Sequence, residues 1–138
     1  MGSERKARDA CEVLSFDDAV LRRADDLPAQ LMRACPDHID ALVTNDCGPR
    51  LGLALAQLAP GARVGLIGDM SQYNAAQILP GPALGQVIAR RATLTGFVAY
   101  DQHDLLERWQ RTACGWIADG SLRFDEDRSV GLAQAPQA

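Results

Sequence analysis

The stretch "IDALVTNDCGPRLGLALAQLAPGARVGLIG", residues 39–68, places one helix-period run between two shorter apolar runs. Residues 39–44 and 62–68 have the length and aliphatic content of buried strands, whereas residues 49–58 begin with a proline that suits the first turn of a helix. A helix that connects two buried strands predicts a βαβ unit with parallel strands. The stretch therefore predicts an α/β fold.

The same alternation continues on both sides of this unit. We predict helices at residues 4–14, 26–35, 82–91 and 104–120, strands at 17–22 and 93–99, and a more exposed last strand at 122–130. Asp26 is expected to cap the second helix, and Gly120 suits the C-terminal cap of the last. Trp109 and Trp116 are seven residues apart on one helix face, a spacing that predicts core packing.

Composition and charge favour one soluble globular domain. The chain has 138 residues, of which 47% are hydrophobic and 23% charged, and its net charge is −4. The basic residues do not gather into one run beyond short pairs such as Arg22-Arg23, so no nucleic-acid partner is predicted. No apolar stretch reaches the roughly 20 residues of a membrane span. The N-terminus lacks a signal-peptide core, so we predict no membrane contact and a cytoplasmic location.

The cysteines and histidines do not form a recognisable site. The four cysteines include no C-x-x-C pair, and no histidine is spaced to complete a zinc site, so no metal is predicted. They are interpreted as small buried or half-buried thiols. His38 and His103 have no serine, cysteine or carboxylate arranged around them as a triad and are interpreted as surface residues.

Polar loops follow the predicted strands, at the edge where parallel sheets bind their ligands. "TNDCGP" follows residue 43, "GDMSQYN" follows residue 67, and "AYDQ" follows residue 98. Tyr73 is one of two tyrosines, and its phenol can donate a hydrogen bond to a carbonyl or developing enolate, although a structural use is an alternative. Asn45 can bind a sugar or carboxamide, or simply form a turn.

The N-terminal "GSERK", residues 2–6, combines small residues with cations just before a predicted helix. A 2′-phosphate of NADP needs small residues and cations, whereas the ribose of NAD is bound by a carboxylate. Ser3, Arg5 and Lys6 fit the phosphate. The alternatives are a vector remnant for residues 1–3 and a solvated helix face for the two cations.

Several of these pieces together resemble a known family. "GSERK", "ALAQLAPGARVGLIGDMSQYN", "RRATLTGFVAYD" and "WIADGSLRFDEDRSVGLAQAPQA" are similar to the cofactor-binding domain of zinc-independent medium-chain dehydrogenases/reductases. The resemblance is to NADP-dependent ene-reductases of the leukotriene B4 dehydrogenase and prostaglandin reductase type. It implies hydride transfer from NADPH to the β-carbon of an α,β-unsaturated aldehyde or ketone, without a metal.

The resemblance also implies roles for individual residues. Tyr73 matches the loop tyrosine that assists catalysis at the nicotinamide end, and Ser71 belongs to the same "SQYN" loop. The other residues expected to bind cofactor are Ser3, Lys6 and Arg22 at the 2′-phosphate, Asn45 in the turn that the family writes "DNVGG", and Phe97 and Val98 beside the nicotinamide.

The chain departs from the family pattern in three ways. Arg22 stands at a phosphate-side position that is usually a tyrosine in the family, and an arginine there can still bind a phosphate. The "DNVGG" turn has become residues 44–48, in which Cys47 replaces a glycine and Asp46 adds a negative charge. No G-x-G-x-x-G occurs, and neither does the family's catalytic domain. We therefore expect residues 1–138 to form one partial Rossmann-like domain that lacks the first strand, the glycine-rich helix and the second strand. Strand 17–22 would then have no neighbour, and strand 39–44 would have an exposed edge.

Two hypotheses follow. The first is a fragment of an NADP-dependent oxidoreductase that reduces the C=C bond of enals and enones but is inactive until a complementing chain supplies the missing parts. The second is a catalytically silent interaction module that pairs with another chain, or with its own copy as a homodimer, through the exposed strand edge or strand 93–99.

Overall fold

The computed structural model describes residues 1–78, 80–126 and 128–135. Its helices are α1 (Glu4–Glu12), α2 (Leu27–Ala34), α3 (Pro49–Ala56), α4 (Gly85–Arg90) and α5 (His103–Ala118), with 3-10 turns at Ala99–Gln102 and Leu132–Gln134. The strands β1 (Ile39–Thr44), β2 (Leu58–Leu66) and β3 (Thr93–Gly96) form a parallel sheet in the order β1-β2-β3. The predicted α/β class is confirmed. Among the helices described, none combines the length and apolar character needed to cross a membrane.

The core forms where α3 packs on one face of the sheet. Leu51 and Leu55 are one helical turn apart, so both side chains point to the same side of α3. They pack against Leu58 and Val64 of β2, and Leu55 and Leu58 are completely buried. This packing holds the β1-α3-β2 unit together and aligns the carboxyl ends of β1 and β2.

A bulge interrupts the pairing of β1 with β2. Ile39 pairs with Leu58 and Ala41 with Arg63, so β2 advances five residues where β1 advances two. Gly61 lies inside the bulge at φ +80°, a conformation that glycine adopts without steric cost. The Pro-Gly pair, which reads as a turn before a strand at residue 62, instead lies within β2.

Two predicted strands are wrong. Residues 17–22 form no strand, although the Met1 amine donates to the Val20 carbonyl oxygen and the Arg22 N–H donates to the Met1 carbonyl oxygen at 2.9 Å. A strand needs a neighbouring strand along its length, and in the described chain these residues have backbone bonds to Met1 and one bond from the Leu21 N–H to the Gln30 side chain instead. Residues 122–126 and 128–130 also form no strand, because no other strand lies beside them there; residue 127 lies outside the described residues.

The prediction that Trp109 and Trp116 are core residues is also wrong. Their side chains are 53% and 43% exposed, and the two rings make an edge-to-face contact at 5.7 Å and 74°. Both lie on α5, a helix that buries none of its residues and packs mainly against the Ala99–Gln102 turn. The apolar face of α5 is real, but no element of the described chain covers it.

Candidate functional site

The carboxyl ends of β1 and β2 bring two polar loops into contact. We call residues 45–48 the β1 exit loop and residues 67–73 the β2 exit loop. The strand pairing continues into them, since the Ile67 N–H donates to the Thr44 carbonyl oxygen at 2.9 Å and the Met70 N–H donates to the Asn45 carbonyl oxygen at 2.8 Å. The loops that carry the predicted residues Asn45, Ser71 and Tyr73 are therefore neighbours.

Asp69 links the two exit loops. Its Oδ1 accepts the N–H of Cys47 at 3.2 Å and the hydroxyl of Ser71 at 2.6 Å. The Cys47 thiol in turn donates to the Gly68 carbonyl oxygen at 3.4 Å. Sequence reasoning missed Asp69; the available signal was an acidic residue directly after a buried strand and its glycine.

The carboxylate of Asp46 closes the start of α3. Its Oδ1 accepts the N–H of Gly48 at 3.0 Å, and its Oδ2 accepts the Arg50 Nε–H at 2.8 Å. Burial opposes ionisation, but these two donors lower the pKa of Asp46 below its usual value. Burial, followed by the charges of Asp69 and Asp46, raises the pKa of the Cys47 thiol. The N–H groups of Cys47 and Gly48 are thus bound by the chain's own carboxylates.

Position 48 of the β1 exit loop has room for a glycine but not for a larger residue. A methyl group on Gly48 would lie 3.0 Å from Ser71 Oγ and 3.2 Å from Asp46 Oδ1. We expect Gly48→Ala to lower the free energy of unfolding by about 1–3 kcal/mol, as overpacking does elsewhere. Urea denaturation followed by circular dichroism measures this change. Gly52→Ala, inside α3, is the control, because its methyl group would meet Pro82 at an ordinary 3.5 Å; equal stability of both variants would contradict the prediction.

Asn45 and Tyr73 approach each other across Gly68. A methyl group on Gly68 would lie 3.6 Å from both Asn45 Cβ and Tyr73 Oη. The Asn45 amide donates to the Met70 sulfur at 3.0 Å, and the Tyr73 side chain is 71% exposed. The structure thus brings a phenol and an amide together at the mouth of the sheet, with the phenol accessible from solvent.

Phe97 and Val98 follow β3 at the same edge of the sheet. The Phe97 N–H donates to the Leu66 carbonyl oxygen at 2.8 Å, which continues the pairing of β3 with β2. The Phe97 ring covers Gly65, where a methyl group would meet it at 3.3 Å. The Phe97 ring therefore forms one wall of a shallow groove on the uncovered sheet face, and Val98 is exposed beside it.

Ser3, Lys6 and Arg22 lie in a second place, at the start of α1. Ser3 caps the helix by accepting the Lys6 N–H at 3.3 Å. The Arg22 guanidinium would lie 3.7 Å from a methyl group on Gly2. Burial and the Arg22 charge lower the pKa of the Met1 amine. We call Ser3, Lys6 and Arg22 the cationic corner.

The cationic corner and the exit loops offer groups that suit different parts of a nucleotide. The cationic corner offers a lysine, an arginine and a helix N-terminus, which together fit a phosphate. The exit loops offer a phenol and an amide, but their carboxylates occupy the N–H groups that a phosphate would need. In the part of the chain that the structure describes, no cluster of three or more His, Cys, Asp or Glu side chains is arranged to hold a metal ion.

Comparison with known proteins gives matches along nearly the whole chain, although no family model matches it. An NADPH-dependent curcumin reductase of Escherichia coli is 34% identical over 142 residues, covering 99% of this chain and 41% of the relative. A 2-alkenal reductase (NADP(+)-dependent) of Nicotiana tabacum is 30% identical over 138 residues, covering 99% of this chain and 40% of the relative. The chain thus spans about two-fifths of the length of these relatives.

Comparison with solved structures gives the same result as the sequence comparison. CurA of Vibrio vulnificus, crystallised in complex with NADPH, matches with a TM-score of 0.87 and 30% identity over 99% of this chain and 42% of its own. The agreement in sequence and in fold confirms the resemblance drawn from the "GSERK" and "SQYN" stretches. The chain is thus similar, in sequence and in fold, to about two-fifths of the length of these NADP-dependent reductases and of CurA.

Proposed function

We propose that the chain is the NADP-binding portion of an enzyme that reduces the C=C bond of α,β-unsaturated carbonyl compounds, and that it is inactive alone. The observation that carries the proposal is the cationic corner, where Lys6 and Arg22 stand beside the N-terminus of α1. Two relatives whose names describe NADP-dependent reductases support the reaction type.

In this proposal the chain's residues bind the cofactor and orient the substrate. Lys6 and Arg22 bind the 2′-phosphate, while the Ser3 hydroxyl holds the helix end beside them. Bound NADPH supplies the hydride. Tyr73 donates a hydrogen bond to the substrate carbonyl oxygen, where negative charge develops as the enolate forms.

The remaining residues shape the nicotinamide end of the proposed site. Asn45 and Ser71 line the exit loops near the phenol of Tyr73, and Phe97 and Val98 form an apolar wall that excludes water. Each of these side chains lies at the carboxyl edge of the sheet, where parallel sheets bind ligands.

The chain is proposed to need a complementing segment, whether on the same polypeptide or on another. Among the described strands, β1 pairs only with β2, so its other edge is unpaired. The N–H groups of Cys47 and Gly48, just before α3, are bound by the carboxylates of Asp69 and Asp46, so the pyrophosphate is proposed to bind at another helix N-terminus. A parallel strand beside β1, followed by a helix, supplies both.

The test is a calorimetric titration of the folded chain with NADPH and then with NADH. We expect NADPH to bind about tenfold or more tightly than NADH, because a charge-assisted phosphate contact contributes roughly 1.5–3 kcal/mol. An enal offered together with NADPH should not be reduced. Equal affinity for both nucleotides would overturn the NADP assignment, and turnover by the isolated chain at the rate of an intact reductase would overturn the need for a complementing segment.

A second function is a silent interaction module. The unpaired edge of β1 favours it, because such an edge accepts a strand of another chain. The carboxylates of Asp46 and Asp69 in the exit loops favour it as well, since they repel an anionic cofactor. A stable oligomer in size-exclusion chromatography that binds neither nucleotide would support this function over the first.

A further inference from the structure

We infer that Asp69 is a positioning residue: its carboxylate fixes the β1 exit loop to the β2 exit loop and thereby sets the separation of Asn45 and Tyr73. The structural part of this inference stands on the contacts of the exit loops alone. Its consequence for a bound nucleotide or carbonyl rests on the proposed function.

The two donors that Asp69 accepts come from different loops. The Cys47 N–H belongs to the β1 exit loop, 22 residues away in sequence, whereas the Ser71 hydroxyl belongs to the β2 exit loop itself. Hydrogen bonds to an ionised carboxylate are roughly twice as strong as those between neutral groups. The carboxylate thus provides the side-chain part of the connection, beside the backbone bond from Met70 to Asn45.

Cys47 restricts the conformation of the β1 exit loop further. A cysteine at this position restricts the backbone more than a glycine would. The half-buried thiol is held against the Gly68 carbonyl oxygen, one residue from Asp69. Cys47 and Asp69 therefore hold the turn in one conformation through contacts of both the backbone and the side chain.

The connection reaches the candidate catalytic groups through Gly68. This glycine precedes Asp69 directly, and its free side faces both Asn45 Cβ and Tyr73 Oη at 3.6 Å from a methyl group placed there. Releasing Asp69 from Cys47 lets the β2 exit loop move away from Asn45. The Tyr73 phenol is then no longer held at a fixed distance from the Asn45 amide.

The Cys47 thiol reports on the connection without any nucleotide. We would alkylate the folded chain with iodoacetamide between pH 6 and about 10, a range that spans the usual thiol pKa. Peptide mass spectrometry would follow Cys47, with exposed Cys114 as the internal reference. In the wild-type chain, Cys47 should react more slowly than the exposed Cys114, since burial and two carboxylates raise the pKa of the Cys47 thiol.

Two variants separate the contact from the charge. Asp69→Ala removes the acceptor, and we expect the Cys47-to-Cys114 rate ratio to rise several-fold. Asp69→Asn keeps an acceptor for both donors but removes the charge, so the ratio below pH 7 should rise less, while the whole Cys47 profile shifts to lower pH. Asp37→Ala, an exposed carboxylate just before β1, is the matched control and should leave the Cys47 profile unchanged.

Each outcome of these measurements either supports or overturns the inference. An unchanged rate ratio in folded Asp69→Ala overturns the inference. If circular dichroism shows that Asp69→Ala does not fold, the asparagine variant decides instead: a Cys47-to-Cys114 rate ratio below pH 7 that does not rise at all there overturns the inference. None of these measurements involves NADPH, so a failure here is distinct from a failure of the proposed function.

Discussion

Replacing Leu55 with alanine is expected to lower the free energy of unfolding by about 2–5 kcal/mol, the range found for buried leucines. Leu55 is completely buried between α3 and β2, where it contacts the same cluster as Leu58 and Val64. Removing its isopropyl group leaves a cavity in the core between α3 and the sheet. A typical domain has only about 5–15 kcal/mol in total, so the variant should be close to unfolded.

Urea denaturation followed by circular dichroism at 222 nm measures this loss. The matched control is Leu132→Ala, because Leu132 is 91% exposed and its truncation should change the stability by less than about 0.5 kcal/mol. If the two variants unfold at the same urea concentration, the core does not lie under α3 as described.

Replacing Arg22 with alanine is expected to reduce the preference for NADPH over NADH by about tenfold, since loss of one charge-assisted hydrogen bond to a phosphate costs roughly 1.5 kcal/mol or more. The NADH affinity should stay constant, because NADH has no 2′-phosphate to meet Arg22. Lys6→Ala should act in the same direction. Calorimetric titration of each variant with both nucleotides measures the change.

The neighbouring Arg23 gives a matched control for Arg22. Arg23→Ala removes the same charge one residue away and should leave the nucleotide preference as it is in the wild-type chain. A variant of Arg22 that weakens NADPH and NADH equally would show that its guanidinium supports the fold of the N-terminal segment rather than the 2′-phosphate. Met1, whose carbonyl oxygen accepts the Arg22 N–H, is part of that segment.

The helices and strands that were predicted correctly from sequence depend only on residues that are close together in the chain. The helix at Pro49 and the strand at Ile39 follow from spacing within ten residues, and α5 ends before Gly120 at φ +78°, as a glycine cap predicts. The errors concern features that depend on distant partners. Residues 17–22 have strand composition without a neighbour, and the apolar face of Trp109 and Trp116 has nothing to cover it in the described chain.

The same distinction applies to the candidate site. Asn45, Ser71 and Tyr73 could be placed together from sequence, because the carboxyl ends of adjacent parallel strands share one edge. Asp69 was missed: its position after a buried strand and its glycine was visible in the sequence, but its hydrogen bond to Cys47 on another loop was not. The bulge at Gly61 was equally hidden, because a Pro-Gly pair in sequence fits a turn as well as it fits a strand that bends.

The unpaired edge of β1 has a practical consequence for the chain in solution. It presents six residues of open backbone, with Val43 71% exposed and Asp40 as the one charged residue of the strand. Few charges oppose the approach of a second strand there, and natural proteins place lysines or prolines on such edges to prevent intermolecular sheets. The purified chain is therefore expected to aggregate as its concentration rises, and a lysine introduced at position 43 should keep it in solution longer.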